Sequence, residues 1–143
     1  LGLAALIGLP GLGLYVVARA LGLNTTIAAA GLAPVWWAVP VLILAAVQNA
    51  VLEEVVMIGY LFERWWGAGI GLWQVIIGSA LIRGTYHLYQ GFGGFVGNVV
   101  MGVVFGWLYS RTRRVMPLVI AHAVLDIVAF VGYALLKPHV SWL

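Results

Sequence analysis

The sequence predicts an all-α, polytopic transmembrane helical bundle of about five spans, and it does so on three grounds. Of its 143 residues 64% are apolar and only 8% are charged, whereas soluble domains carry about 25% charge, so much of the apolar surface must face lipid. The uncharged runs are long, with 18 residues before Arg19, 33 from Ala20 to Leu52 and 18 from Trp65 to Ile82. They suit helical spans of about 20 residues and not the alternating strands of about 10 residues that build a transmembrane barrel. The length leaves room for these spans with short loops and no sizeable aqueous domain, so residues 1–143 read as a single transmembrane domain.

The elements follow from charge and turn signals. Span one runs from about Leu1 to Ala20, with Pro10 expected to kink it, and Leu21 to Pro34 reads as a loop. Span two opens at the interfacial pair Trp36-Trp37, passes Pro40 and ends at Glu63-Arg64. Span three extends from Gly71–Trp73 to His87–Gln90, where Gly91-Phe92-Gly93-Gly94 turns the chain. Span four covers about Phe95 to Tyr109. The basic Arg111–Arg114 loop follows, and Pro117 starts span five, which ends near Lys137-Pro138. Within span four, Gly94, Asn98, Gly102 and Gly106 recur every four residues and predict a small-residue packing seam. Asn98 needs a partner at that depth and is a candidate supporting residue.

Counted by alternating loops, Arg64, Arg111, Arg113 and Arg114 lie on one side and Arg19 and Lys137 on the other. The heavier side, with the Arg111–Arg114 loop, is predicted to be cytoplasmic. The same cations are too scattered to form a basic face, so the net charge of +3 carries topology and no nucleic-acid partner is expected. The absence of cysteine excludes disulfides, thiolate metal sites and a cysteine nucleophile. Leu1 to Leu9 lacks a basic leader region, and the chain reads as trimmed from something longer.

Six ionisable residues lie inside apolar stretches: Glu53 and Glu54 in span two, Arg83 and His87 in span three, His122 and Asp126 in span five. Each costs at least about 2.5–3.5 kcal/mol at the centre of a bilayer helix, so they must pair or line a wet cavity. Arg83/His87 and His122/Asp126 are i,i+4 couples, each sharing a helix face. Glu53 and Glu54 lie about 100° apart on a helix, so one should act and the other support. Measured from the cytoplasmic ends at 1.5 Å per residue, Glu53 sits at about 16 Å, His87 at about 22 Å and His122 at about 10 Å, which makes His87 the strained member.

A carboxylate and two imidazoles in a dry pocket suit water activation and peptide hydrolysis. They equally suit a proton relay in a transporter, or a zinc site drawn from two histidines and a glutamate. A buried ion-pair network of purely structural value is the remaining reading. No HExxH occurs, and the lone Asp126 cannot form an aspartyl dyad. Ser79, in Ile77-Gly78-Ser79-Ala80, reads as packing.

The order of these residues resembles the CPBP family of intramembrane proteases, which takes in type II CAAX prenyl endopeptidases, bacteriocin-processing enzymes and Abi-like proteins. Its motifs are EExxxR, FxxxH and HxxxN/D. Glu53-Glu54 matches the first, Tyr86-His87 the second and His122-Ala-Val-Leu-Asp126 the third, while Leu108-Tyr109-Ser110-Arg111-Thr112 is also familial in character. The resemblance spans a CPBP-like catalytic core at 51–131. It implies Glu53 as the general base, His87 as its partner on the water, His122 and Asp126 as the oxyanion site, and Glu54 in support through a salt bridge to the motif arginine. Metal dependence stays open: a metal-free glutamate mechanism stands beside a zinc ion held by Glu53, His87 and His122. The implied partners are a peptide or protein substrate, prenylated in the eukaryotic members, the lipid bilayer and a membrane-protein partner. A catalytically inactive scaffold that keeps the fold is the alternative, with a proton-coupled transporter third.

Two motif positions depart from the family. Ile58 stands where the arginine is expected and Arg83 where the phenylalanine is expected, which suggests that Arg83 supplies from span three the cation that span two has lost. Asp126 replaces the common asparagine. An ionised aspartate cannot donate to an oxyanion, so Asp126 must be protonated or must orient His122.

Overall fold

In lipid every unsatisfied backbone group is costly, so each apolar run closes its hydrogen bonds internally as a helix. The computed structural model describes residues 1–24 and 35–136 and is all-helical in its named elements. In chain order they are α1 (Gly2–Ala20), α2 (Ala38–Glu53), a π-helical segment (Glu54–Phe62), α3 (Glu63–Gly67), α4 (Leu72–Tyr86), a 3-10 turn (Leu88–Gln90), α5 (Phe92–Thr112) and α6 (Met116–Leu136). Pro40 and Pro117 fall in the first turns of α2 and α6, where no intrahelical donor is lost. Pro10 lies within α1, which continues through it. Most of the expected Leu21–Pro34 loop, and the Lys137-Pro138 end of span five, lie outside the described residues. Its first residues turn back to the bundle, where the Phe92 N–H donates to the Leu23 carbonyl at 2.9 Å.

The bundle is polytopic and helical, as predicted. Among the described residues four helices are long and apolar enough to cross a membrane: α1, the continuous run Ala38–Gly67, α5 and α6. The place of the expected third span is filled by α4, which has 15 residues and so rises only about 22 Å. The outer faces are apolar, with Leu6, Leu9, Leu44 and Val128 exposed, while Glu54, Arg83, His87 and His122 are buried. That inversion is what a bilayer demands.

A buried apolar cluster that includes Ile58, Phe62, Val75, Ile76, Met101, Phe105 and Leu118 lies between the helices. Phe62 meets the rings of Trp66 and Tyr109 edge-on at 5.7 and 5.5 Å. At the end of the bundle beyond this cluster Glu63 pairs with Arg113, whose guanidinium stacks over Trp66 at 3.9 Å. The two basic segments at Arg64 and Arg111–Arg114 therefore share one end, as the loop alternation predicted.

The small-residue seam of α5 is used at its centre. A Cβ on Gly102 would stand 2.8 Å from the Ala80 Cα and 3.4 Å from the Arg83 Cδ, and one on Gly106 would press on Phe62 and Ile76. Gly102 therefore lets α4 and α5 approach backbone to backbone and leaves room for the stem of Arg83. Gly102→Ala is expected to force the helices apart and lower the thermal midpoint, at a cost of about 1–3 kcal/mol. Gly13→Ala in α1, where nothing lies within 4 Å of an added Cβ, should leave the midpoint unchanged or slightly raised in the same detergent-solubilised melt.

Candidate active site

The boundary between α2 and the π-helical segment falls between the two glutamates. A π-helix bonds i to i+5, which widens the backbone, and such segments recur at functional sites. Glu53 and Glu54 leave this junction toward different partners, as their angular separation requires.

Glu54 is fully buried, and its Oε1 receives two donors. Arg83 Nη2 donates at 2.5 Å from α4, and His122 Nδ1 donates at 2.8 Å from α6. Arg83 is only 1% exposed, and its guanidinium lies 5.7 Å from the centre of the Phe105 ring, which also meets the His122 ring edge-on at 6.5 Å. One carboxylate thus ties together three segments of the chain. Ile58, at the position where a motif arginine was expected, is buried in the apolar cluster, so the cation beside Glu54 comes from α4.

Glu53 is less enclosed. Its Oε2 accepts a hydrogen bond from the Tyr86 hydroxyl at 3.0 Å, and its Oε1 lies 3.7 Å from His87 Nε2. The other ring nitrogen of His87 donates to the Arg83 carbonyl at 3.0 Å. With the proton on Nδ1, a neutral His87 offers Nε2 as a lone pair. His87 does not continue the helical face of Arg83. The helix α4 ends at Tyr86 and His87 opens the following turn, which brings a residue that looked too far along a straight span within reach of Glu53.

On α6, His122 Nε2 faces Asp126 Oδ1 at 3.6 Å, so the ring has a carboxylate at each nitrogen. All six intramembrane ionisable residues are joined in one chain of contacts, from Glu53 through His87, Arg83, Glu54 and His122 to Asp126. The candidate supporting residue Asn98, and Ser79, which reads as packing in the sequence, lie elsewhere. The Asn98 amide donates to the Gly94 carbonyl of its own helix and lines a cavity with Tyr15, Asn24 and Gln90. The Ser79 hydroxyl is buried on the Ile76 carbonyl. Tyr86 and Phe105 were missed as site residues. The signal for Tyr86 was a phenol directly beside the motif histidine.

A three-ligand zinc site needs its donors converging at about 2 Å from one point. His122 is committed to Glu54 and turned toward Asp126, and among the described residues no group of three His, Asp or Glu side chains stands ready to hold an ion. The arrangement does not fit the Glu53, His87 and His122 zinc set.

These features define an integral membrane protein of the helical-bundle class with a buried acid–histidine site. Residues 34–128, more than half of the chain, match the family described as Type II CAAX prenyl endopeptidase Rce1-like. The chain belongs to this Rce1-like family of CAAX-protease-like intramembrane endopeptidases, within the CPBP group that its motifs resemble. Comparison with curated proteins and with solved structures gives no match.

Breaking a buried pair by removing one partner costs about 3–5 kcal/mol. Arg83→Ala should therefore lower the thermal midpoint sharply. Arg83→Phe combined with Ile58→Arg, which returns the cation to the π-helical segment, should recover a large part of the loss. An unchanged midpoint in Arg83→Ala would show that the pair contributes nothing.

Proposed function

We propose that the protein is an intramembrane endopeptidase in which Glu53 activates water with His87. The observation that carries this reading is the 3.7 Å separation of Glu53 Oε1 and His87 Nε2. It is too long for a hydrogen bond, and both atoms act as acceptors when Glu53 is ionised and His87 is neutral. A water donating one hydrogen to each would sit to one side of the line that joins them, about 2.8 Å from both, with its lone pairs free for attack.

In the reaction Glu53 takes a proton as the water oxygen bonds to the scissile carbonyl carbon, and the carbonyl becomes an oxyanion. When the carbon–nitrogen bond breaks, the proton held by Glu53 passes to the departing amine. Water is thereby divided between the two products. His122 is fixed by its Nδ1–H bond to Glu54, and the step uses it protonated on both nitrogens, so that its Nε2–H donates to the oxyanion. Asp126 lies beside that edge and serves to orient the ring. Glu54 and Arg83 hold His122 in place and touch no reacting atom.

The scaffold reading drew support from the missing motif arginine. The Arg83–Glu54 ion pair supports the enzyme reading on that point, because Glu54 keeps a buried cation. The shared end of Arg64 and Arg111–Arg114 is assigned to the cytoplasmic face by its excess of arginine. The family description makes a prenylated CAAX peptide the first substrate to test.

Purified wild-type protein should cleave such a peptide, or its unprenylated counterpart, and Glu53→Gln should lower kcat by about a thousandfold or more, consistent with loss of the base and its water. Cleavage that persists in Glu53→Gln would overturn the mechanism. Loss of wild-type activity on chelation, restored by added zinc, would replace it with a metal-dependent one.

A further inference from the structure

We propose that Tyr86 is a positioning residue for the general base, selecting which oxygen of Glu53 faces the reacting water. The inference rests on Glu53 being the base. A glutamate side chain has several rotatable bonds, and its two oxygens are equivalent until something distinguishes them. The Tyr86 hydroxyl does so by donating to Oε2 at 3.0 Å, which leaves Oε1 as the oxygen turned toward His87 Nε2.

The same side chain bears on the second member of the pair. The Tyr86 ring centre lies 4.7 Å from that of His87 at an interplanar angle of 40°, and the Tyr89 ring stacks with His87 at 6.2 Å and 22°. The imidazole is thus packed by two phenol rings, while its Nδ1–H is held by the Arg83 carbonyl. Tyr86 combines these contacts because it is the last residue of α4. Its backbone is still helical while that of His87 is not, and the two adjacent side chains reach Glu53 together.

A tyrosine at a helix end in a membrane protein ordinarily serves as an interfacial anchor, with its hydroxyl among the headgroups. Here the hydroxyl is spent on a carboxylate, and that bond separates the two roles. An anchor or packing ring is preserved in Tyr86→Phe, whereas a positioning hydroxyl is lost.

The test compares wild type, Tyr86→Phe, Tyr86→Leu and Glu53→Gln on one prenylated CAAX peptide and follows kcat, KM and the thermal midpoint. A hydrogen bond to a charged group is expected to correspond to about a tenfold effect. Tyr86→Phe should therefore lower kcat by about tenfold, with KM within about twofold and the midpoint unchanged, and Tyr86→Leu should lower kcat at least as far. If Tyr86→Phe keeps the wild-type kcat while Glu53→Gln is inactive, the proposal fails and the reading of Glu53 stands. It also fails if the loss in Tyr86→Phe is matched by a lower midpoint, which would mark a structural role. Cleavage surviving in Glu53→Gln overturns both.

Discussion

A guanidinium and a carboxylate, paired at 2.5 Å and almost wholly excluded from solvent, set the terms for the rest of this molecule. Either charge alone would be prohibitive inside an apolar bundle, and even together they repay their desolvation only if the geometry is held. The fold supplies that geometry from several directions. Gly102 on α5 makes room for the stem of Arg83, Phe105 lies against its guanidinium, and His122 closes the other side of Glu54. The pair fixes α4 relative to the π-helical segment and, through His122, fixes α6 as well.

The Glu53 side of the site inherits this order. The Arg83 carbonyl holds Nδ1 of His87 while its side chain holds Glu54. One residue thus sets both the tautomer of the histidine beside Glu53 and the charge environment behind it. The two adjacent glutamates consequently have separate duties, with Glu54 enclosed in the scaffold and Glu53 at the open edge. Their separation of about 100° around the helix turns their carboxylates toward different partners, at the point where α2 gives way to the π-helical segment.

Much of this was legible in the sequence because lipid makes charge scarce. The span ends could be placed at Arg19, Glu63-Arg64 and Arg111–Arg114, and the helices end within a few residues of them. Glu54 and Arg83 could be matched because Ile58 and Arg83 are paired departures from one motif set. The π-helical segment could not be seen, since its register depends on packing and leaves no periodic signature in an apolar run. The height of His87 is not legible for a related reason: a straight helix carried through it places it too far along the span, whereas His87 stands at the first turn beyond α4. The contact of Tyr86 with Glu53 is not legible because it depends on where the hydroxyl points, and the amide of Asn98 donates to the Gly94 carbonyl of its own helix.

The division of labour between the two glutamates is the central claim, and parallel thermal melts of Glu53→Gln and Glu54→Gln in the same detergent test it most directly. The account predicts a midpoint close to wild type for Glu53→Gln and a markedly lower one for Glu54→Gln, which leaves Arg83 buried beside a neutral amide. Equal midpoints, or a larger loss in Glu53→Gln, would contradict it.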